Sequence, residues 1–209
     1  MSKTLIDTRK KILDKALEMF NERGIEYVGL RELAAILAMR VSNITYYFPT
    51  KDDLVYALSL ELREKNAEVI VERENLAMSA FLRMLQQVFQ NHVTFRCLLL
   101  SVVHLMKQNK HMSGPYKDTQ KVRSSTIYSN LKALERGGYL QPQDETEIQF
   151  LVSGISLISR FWISEAAISF EELSTEEQVR HYLLLISQLL KPYSSAKAKE
   201  DIRFFFETL

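Results

Sequence analysis

Apolar residues recur along most of the chain at the three- and four-residue spacing of an amphipathic helix. The first stripe consists of Ile12, Leu13, Ala16, Leu17 and Phe20. Side chains at this spacing share one helix face. Asp7 or Thr8 can cap the start of this helix, and Gly24 provides a left-handed stop. We therefore expect a first helix that ends at Gly24.

Two short helices and a longer one are expected next. The apolar pattern predicts helices over residues 30–37 and 41–48, separated by a short turn at 38–40. Pro49 ends the third helix, because proline cannot continue the backbone hydrogen bonding. Thr50 then starts a fourth helix that extends to about residue 73. Two short helices joined by a tight turn and braced by a longer one describe a helix-turn-helix unit.

The remainder of the chain is also predicted to be helical. The expected spans are 75–92, 95–110, 115–136, 144–168 and 175–191. Gly114-Pro115 and Gly137-Gly138 are predicted breaks, and Ser174 with Glu177 forms a capping box. After a polar linker over residues 192–199, a short apolar face has to dock on the body. The fold class is therefore all-α.

Two of these helices are apolar on more than one face. On the segment 144–168 one stripe is Ile148, Leu151, Ile155, Ile158 and Trp162, and another is Phe150, Gly154, Leu157 and Phe161. The segment 175–191 carries the unbroken apolar run 182–186. Such helices need cover on both sides, and in a chain of this size a second subunit is the simplest cover. The alternative is that residues 200–209 cover part of one stripe within the same chain.

Composition narrows the class of protein. The 209 residues are 46% apolar and 25% charged, with only 6 Gly and 4 Pro, which favours a helical globular protein and excludes disorder. The single cysteine, Cys97, excludes a disulfide framework and a multi-thiolate metal site, and we expect neither metal nor cofactor. No apolar run has the length of a membrane span, and the N-terminus does not have the pattern of a signal peptide. We expect a cytoplasmic protein without a membrane partner.

Charge is distributed unevenly along the chain. Residues 1–51 hold nine lysines and arginines against six aspartates and glutamates, while the remainder holds 18 against 20. The weak positive bias of the first segment suits contact with phosphate groups. The charge distribution therefore separates an N-terminal unit over residues 1–51, which could contact phosphate, from a body over residues 52–209.

The segment from Gly24 to Lys51 resembles the N-terminal DNA-binding domain of the tetracycline-repressor (TetR) family of bacterial regulators. The resemblance covers about residues 8–60, and Tyr-Phe-Pro-Thr-Lys-Asp-Asp-Leu at 47–54 is its most specific part. It implies a helix-turn-helix DNA-binding domain over residues 1–51 and an effector-binding and dimerisation domain over 52–209. It also implies a dimeric repressor that binds a palindromic operator on double-stranded DNA and responds to a small-molecule effector. Family members commonly have Gly where Ala38 stands, and Ala suits that turn only if its φ is not positive.

The resemblance also implies which residues contact DNA. The recognition helix would be residues 41–47, with Ile44 and Phe48 facing inward. The expected contacts to bases or phosphates are Arg31, Arg40, Val41, Ser42, Thr45, Tyr46, Tyr47 and Lys51. Val41 and Ser42 lie nearest the base edges, whereas Tyr46, Tyr47 and Lys51 are expected to anchor phosphates.

A small-molecule pocket is expected in the helical body. Its candidate lining residues are Phe81, Phe95, Cys97, His104, Tyr128 and Trp162. An ordinary helical core has the same composition, so packing is the alternative for each of them. For His104, which lies between Val103 and Leu105, a buried core histidine is the default expectation.

Two other classes of protein compete with a ligand-responsive regulator. An all-α enzyme is disfavoured, because the sequence has no HExxH pair, no glycine-rich phosphate loop and no Gly-x-Ser-x-Gly elbow. We therefore expect no catalytic residues. The other class is an all-α small-molecule-binding or interaction protein with a non-functional helix-turn-helix. DNA binding with strong salt dependence separates the regulator from both.

Overall fold

The computed structural model describes residues 3–69, 74–108 and 110–209, with side chains over 7–69, 74–107 and 118–209. Every element in these ranges is helical apart from an isolated bridge between Leu140 and Ser194. The helices are α1 (Lys3–Arg23), α2 (Leu30–Ile36), α3 (Val41–Tyr47), α4 (Lys51–Val69), α5 (Met78–Thr94), α6 (Arg96–Leu100), α7 (Val102–Gln108), α8 (Lys110–Arg136), α9 (Glu145–Ser169), α10 (Thr175–Leu190), a 3-10 turn (Lys191–Tyr193) and α11 (Ala196–Glu207).

The chain forms two compact units. The first comprises residues 1–64 and 94–116, and the second comprises 65–93 and 117–209. The first unit is therefore larger than the segment assigned to DNA binding, since it also contains α6 and α7. The functional division at residue 51 stays a prediction.

The first unit is organised around the apolar stripe of α1. Ile12, Leu13 and Phe20 are buried, and so are Ile44 on α3 and Leu54 on α4. These side chains supply the hydrophobic burial that holds the short helices α2 and α3, which are too short to be stable alone.

Gly24 has a φ of +90°, so α1 ends as predicted in the left-handed conformation that glycine adopts without strain. Both ends of α2 and α3, and the start of α4, also lie within one residue of the predicted positions. The predicted end of α4, at about residue 73, lies outside the described residues.

Three predicted boundaries were wrong. Asp7 and Thr8 do not cap α1, because this helix already includes Lys3. The span 95–110 is divided by a turn at Ser101 into α6 and α7. By contrast, α8 runs without a break through Gly114 and Pro115. A proline near the start of a long helix removes one backbone hydrogen bond, and the many turns that follow it outweigh this loss.

In the second unit, α9 packs against α10 with one of its two apolar stripes inward. Ile155 and Trp162 are buried, whereas Phe150 and Leu157 of the second stripe are 55% and 60% exposed. The two helices approach closely at Gly154, where an added Cβ would lie 2.7 Å from Leu189 Cδ2. Within the second stripe, Gly154 is thus covered by α10, whereas Phe150 and Leu157 remain uncovered by the described part of the chain.

The chain after α10 is more helical than predicted. The expected polar linker over 192–199 is wrong in its second half, because Ser195 caps α11 by accepting from the Ala198 N–H. The apolar face of α11 docks as expected, since Phe205 is buried. Its Asp201 carboxylate accepts a 2.8 Å hydrogen bond from the Ser79 N–H at the start of α5.

Candidate nucleic-acid interface and effector region

The turn between α2 and α3 has a defined backbone geometry. The Met39 N–H donates to the Ala34 carbonyl at 2.9 Å, and the Ala38 N–H donates to the Ala35 carbonyl at 3.1 Å. This pair of bonds is a Schellman motif, in which the residue at the turn adopts a left-handed conformation. Ala38 has a φ of +52°. The sequence indicated that alanine suits this turn only if its φ is not positive. Since φ is positive here, the backbone at Ala38 is strained.

The inward face of α3 fixes the orientation of this helix. Ile44 and Phe48 are fully buried, as predicted. The Arg9 guanidinium of α1 lies over the Phe48 ring, 5.1 Å from the centroid. Since α3 has only seven residues, these contacts determine which of its side chains face outward.

Most of the predicted DNA-contacting side chains of α2 and α3 face solvent. The exposed ones are Arg31, Arg40, Val41, Ser42 and Tyr46, and the half-buried ones are Thr45 and Tyr47. Arg40 occupies the N-cap position of α3, but its side chain makes no capping bond and stays available for other contacts. On α3, Arg40 and Val41 lie at the N-terminal end, and Ser42 and Tyr46 lie one turn apart on one side of the helix. Their contacts with DNA stay a prediction.

Tyr46 and Tyr47 form an edge-to-face pair with ring centroids 5.0 Å apart. Tyr46 is 73% exposed, whereas Tyr47 is half-buried beneath it. The pair therefore combines a packed ring with an outward ring whose hydroxyl is accessible. This arrangement suits the predicted role of phosphate anchors without proving it.

Lys51 lies at the first position of α4, beside the end of the recognition helix. Its ammonium donates to the Glu26 carbonyl at 3.2 Å, and partial burial lowers the pKa of this amine. One bond leaves two further donors for a phosphate oxygen. Thr50 and Asp53 cap the same helix end, with 2.7 Å between the Thr50 hydroxyl and the Asp53 carboxylate. The position of Lys51 is thus tied to α4 and to the loop after α1.

The candidate pocket residues divide between the two units. Phe95, Cys97 and His104 belong to the first unit and Phe81, Tyr128 and Trp162 to the second. Of the six residues, Phe81, Phe95, Cys97 and Trp162 are buried. Burial also raises the pKa of the Cys97 thiol to about 12, so that it stays protonated. A role in effector binding stays a prediction for all six residues.

His104 is not the core histidine that its apolar neighbours predicted. On α7 the residues Val102 and Leu105 face inward at a three-residue spacing, and Val103 and His104 lie on the opposite face and are exposed. Tyr128 is half-buried, and its hydroxyl lies 3.5 Å from the Glu145 carboxylate.

Sequence reasoning missed the histidine that is buried, His92 on α5. Its Nδ1 accepts a 3.2 Å hydrogen bond from the Trp162 indole N–H, and both rings stack on Phe89. Burial lowers the pKa of His92 to about 3, with a smaller contribution from the positive charge of Arg123. The spacing of Leu85, Phe89 and His92 along one face of α5 is a signal that could have identified this residue.

A second missed residue is Arg160 on α9. It is the one charged residue between Glu147 and Glu165, and its Nε is buried without a hydrogen-bond partner. An isolated charge in a long apolar helix is costly and usually has a function or a partner.

Described residues of the second unit line at least two surface grooves, and neither of these two is lined by a predicted pocket residue. One has a volume of about 590 Å³ and is lined by residues that include Gln90, Thr175 and Arg180. The other, of about 410 Å³, lies between α10 and α11.

Within the described residues, α9 is the one helix whose length and composition would allow it to cross a membrane. It is the central helix of the second unit and has a buried face, as expected for a core helix of this length. We therefore attach no membrane role to it.

Two family models match the chain over different segments. A model described as tetR-family bacterial regulatory proteins matches residues 12–58, and one described as a bacterial transcriptional repressor matches residues 63–202. A probable HTH-type transcriptional regulator of Bacillus subtilis, YttP, is 25% identical in an alignment of 173 residues, with coverage of 70% of this chain and 84% of that protein.

Solved structures share the fold over nearly the whole chain. A TetR-family regulator from Marinobacter aquaeolei VT8 has a TM-score of 0.87 at 20% identity, covering 99% of this chain and 98% of the other. The complex of SmeT with triclosan has a TM-score of 0.65 at 13% identity, covering 91% and 93%. At these identities the likeness concerns the fold.

Proposed function

Because the chain belongs to the TetR family of bacterial transcriptional regulators, we propose that it is a repressor that binds a palindromic operator as a homodimer. A small-molecule effector bound by the helical body releases it from DNA. In this proposal the protein is cytoplasmic and catalyses no reaction. The observation that carries the DNA-binding part is the outward face of α3, whose exposed side chains are held in register by the buried Ile44 and Phe48.

We assign the two kinds of DNA contact to different parts of this face. Val41 and Ser42 project from the N-terminal end of α3, which lies nearest the base edges when a recognition helix enters the major groove. Arg31, Arg40, Thr45, Tyr46, Tyr47 and Lys51 are assigned to phosphates or to the edge of the site. Phosphate contacts set affinity and register, whereas base contacts set sequence preference.

The exposed apolar surface of α9 and α10 supports a homodimer. Phe150 and Leu157 on α9 and Leu184 and Leu185 on α10 are each at least 43% exposed. Two copies of such a surface can bury each other around a two-fold axis as a four-helix bundle. A two-fold dimer also presents two recognition helices to two half-sites, which explains a palindromic operator.

An effector function is supported by the relative that is known in complex with a small molecule, SmeT with triclosan. At 13% identity this relative does not indicate the effector of the present chain. The pocket we propose lies in the second unit, near Phe81 and Trp162, both of which are buried. An all-α ligand-binding protein with a non-functional helix-turn-helix is the alternative.

Selection of bound sequences from a random DNA library tests the proposal most directly. We expect enrichment of a palindrome and binding whose affinity decreases steeply with salt, because many phosphates are contacted. Placing the enriched palindrome in a reporter promoter should lower expression in cells that contain the protein. Failure to retain any DNA at low salt, with the helical content intact, would contradict DNA binding and favour the alternative. If expression of the reporter rises instead of falling, the protein is an activator and the proposed repression is wrong.

A further inference from the structure

Arg160 makes an unusual set of contacts for an arginine on a core helix. The side-chain amide of Gln120 is oriented with its oxygen toward Arg160. This oxygen accepts hydrogen bonds from Arg160 Nη2 at 2.8 Å and from Arg160 Nη1 at 3.2 Å. The guanidinium also lies 5.8 Å from the centroid of the Phe161 ring. Its Nε is buried and donates to no group. Among the described residues, no carboxylate lies within ion-pair distance of this side chain.

Two serines extend the unused hydrogen-bonding capacity along the same helix. Ser156 precedes Arg160 by one helical turn, and Ser159 precedes it directly. Both serines are more than nine-tenths buried, and their hydroxyls have no hydrogen-bond partner among the side chains and backbone that the structure describes. A buried serine in a helix ordinarily bonds to the carbonyl four residues earlier, as Ser187 does to Leu183.

A second arginine adds positive charge beside the neighbouring aromatic side chains. Arg123 on α8 lies close enough to His92 to disfavour protonation of that ring electrostatically. His92 in turn accepts from the indole of Trp162, which follows Arg160 by two residues. The region thus contains two guanidinium groups, two free hydroxyls and a cluster of stacked aromatic rings.

This combination favours a negatively charged ligand. Arg160 is half-buried, its Nε is withdrawn from water, and the hydrogen bonds of its guanidinium go to a neutral amide. Its positive charge therefore lacks the carboxylate partner that charges in such surroundings normally have. Arginine binds carboxylates through two parallel N–H donors, and the unused Nε–H with an adjacent Nη–H provides such a pair. The serine hydroxyls can donate to the remaining lone pairs of the same anion.

We propose that Arg160, Ser156 and Ser159 bind the carboxylate of an organic acid, whose apolar body packs beside Phe89 and Trp162, and that this acid is the effector. The inference rests on the proposed function, since it names the chemical class of the effector.

The single tryptophan provides a direct readout. Trp162 is the one tryptophan of the chain and is buried in this cluster, so its fluorescence reports on binding without DNA. The probes are two matched pairs: octanoate with octanamide, and 4-phenylbutyrate with 4-phenylbutyramide. We expect at least one acid to give a saturable change and to bind roughly tenfold or more tightly than its amide, as a charge-assisted contact implies.

Two arginine variants identify the charge responsible. Arg160→Gln should abolish the preference for acid over amide. The control is Arg83→Gln, which removes the same charge from the exposed face of α5 and should leave the preference intact. The double variant Ser156→Ala/Ser159→Ala preserves both arginines and should weaken acid binding severalfold. If Arg160→Gln does not fold, this double serine variant tests the proposal instead.

Several results would overturn the proposal. One is an acid and its amide binding equally to the wild-type protein, and another is the absence of any saturable change up to the solubility of both acids. Loss of the preference in Arg83→Gln would show a nonspecific charge effect. If inorganic phosphate competes with the acid at equal concentration, the site binds a phosphate group and the assignment of a carboxylate ligand is wrong.

Operator binding is measured separately with the same ligands. If the acid binds but leaves operator affinity unchanged, the anion site stands and the effector role is wrong. If the protein binds no operator, the proposed function fails whatever the fluorescence shows.

Discussion

The indole N–H of Trp162 on α9 donates to Nδ1 of His92 on α5, with 3.2 Å between the two nitrogens. This bond requires His92 to be unprotonated at Nδ1, because a protonated ring has no acceptor. Burial enforces the same state by lowering the pKa of His92 to about 3. The second unit therefore contains a polar link that is formed only by the neutral histidine.

This link predicts a loss of stability at mildly acidic pH. The unfolded histidine binds a proton below its ordinary pKa of 6.5, whereas the folded one stays neutral down to about 3. The contribution of His92 is therefore complete above pH 6.5 and is lost as the pH falls toward 3. Between pH 7.5 and 5, the free energy of unfolding should fall by about 2 kcal/mol more in the wild type than in His92→Gln. Urea denaturation at several pH values measures the free energy of unfolding of both proteins. If this free energy falls equally with pH in the wild type and in His92→Gln, His92 is not buried in its neutral form.

Replacing Ala38 by glycine should stabilise the first unit. The left-handed conformation at φ +52° costs a residue with a Cβ about 1–2 kcal/mol, and the greater freedom of unfolded glycine offsets part of this gain. We expect Ala38→Gly to raise the free energy of unfolding by up to about 1 kcal/mol. The matched control is Ala35→Gly, which introduces glycine into helical α2 and should lower stability by roughly 0.5–1 kcal/mol. Equal effects of the two substitutions would show that the turn carries no strain.

Lys51 should affect DNA affinity without affecting sequence preference. Lys51→Ala removes a predicted phosphate contact and should weaken binding to operator and random DNA equally. The dependence of log affinity on log salt should become shallower by about 1 per contact, or about 2 for a dimer. Titrations on both DNAs at several salt concentrations measure this slope, and a selective loss on the operator would disprove the anchoring role.

Val41 and Ser42 should have the opposite effect. Val41→Ala or Ser42→Ala should cost on the order of 1–3 kcal/mol per affected contact on the operator, with little change on random DNA. Both side chains are exposed, so circular dichroism should show an unchanged helical content. The control is Ile44→Ala, which truncates a buried side chain and should lower stability by about 2–5 kcal/mol instead. A uniform loss of affinity in both surface variants would mean that α3 is docked differently.

Two neighbouring substitutions on α9 separate dimerisation from folding. Leu157 is 60% exposed and Ile155 is fully buried. Leu157→Glu should convert a dimer into a folded monomer of 24.3 kDa, because it places charges in an apolar interface. Ile155→Glu should unfold the second unit, because it buries an unpaired charge in the core. Light scattering and circular dichroism distinguish the outcomes, and a Leu157→Glu dimer would assign the interface elsewhere.

Local sequence patterns were sufficient for the helix-turn-helix and for the inward stripe of α9. Ile44 and Phe48 are four residues apart, and helical spacing alone places both of them on the buried face. The capping box of Ser174 and Glu177 is likewise a local signal, and both of its hydrogen bonds are present. These features depend on contacts between residues close in sequence.

Features that depend on tertiary packing were not predictable in the same way. The apolar neighbours of His104 suggested burial, but the short α7 turns this residue outward. Whether Ala38 has a positive φ depends on how α2 and α3 pack, which composition does not show. The burial of Arg160 Nε requires knowledge of the opposing residue Gln120, 40 positions away in the sequence.

The hydrogen bond from Ser79 to Asp201 has a consequence for synthesis of the protein. Its partners are separated by 122 residues, so α5 leaves the ribosome long before its capping carboxylate has been translated. Until then, the Ser79 N–H in the first turn of α5 lacks this hydrogen-bond acceptor. The second unit therefore cannot complete its folding while the chain is growing, and a nascent chain paused before residue 201 should depend on chaperones.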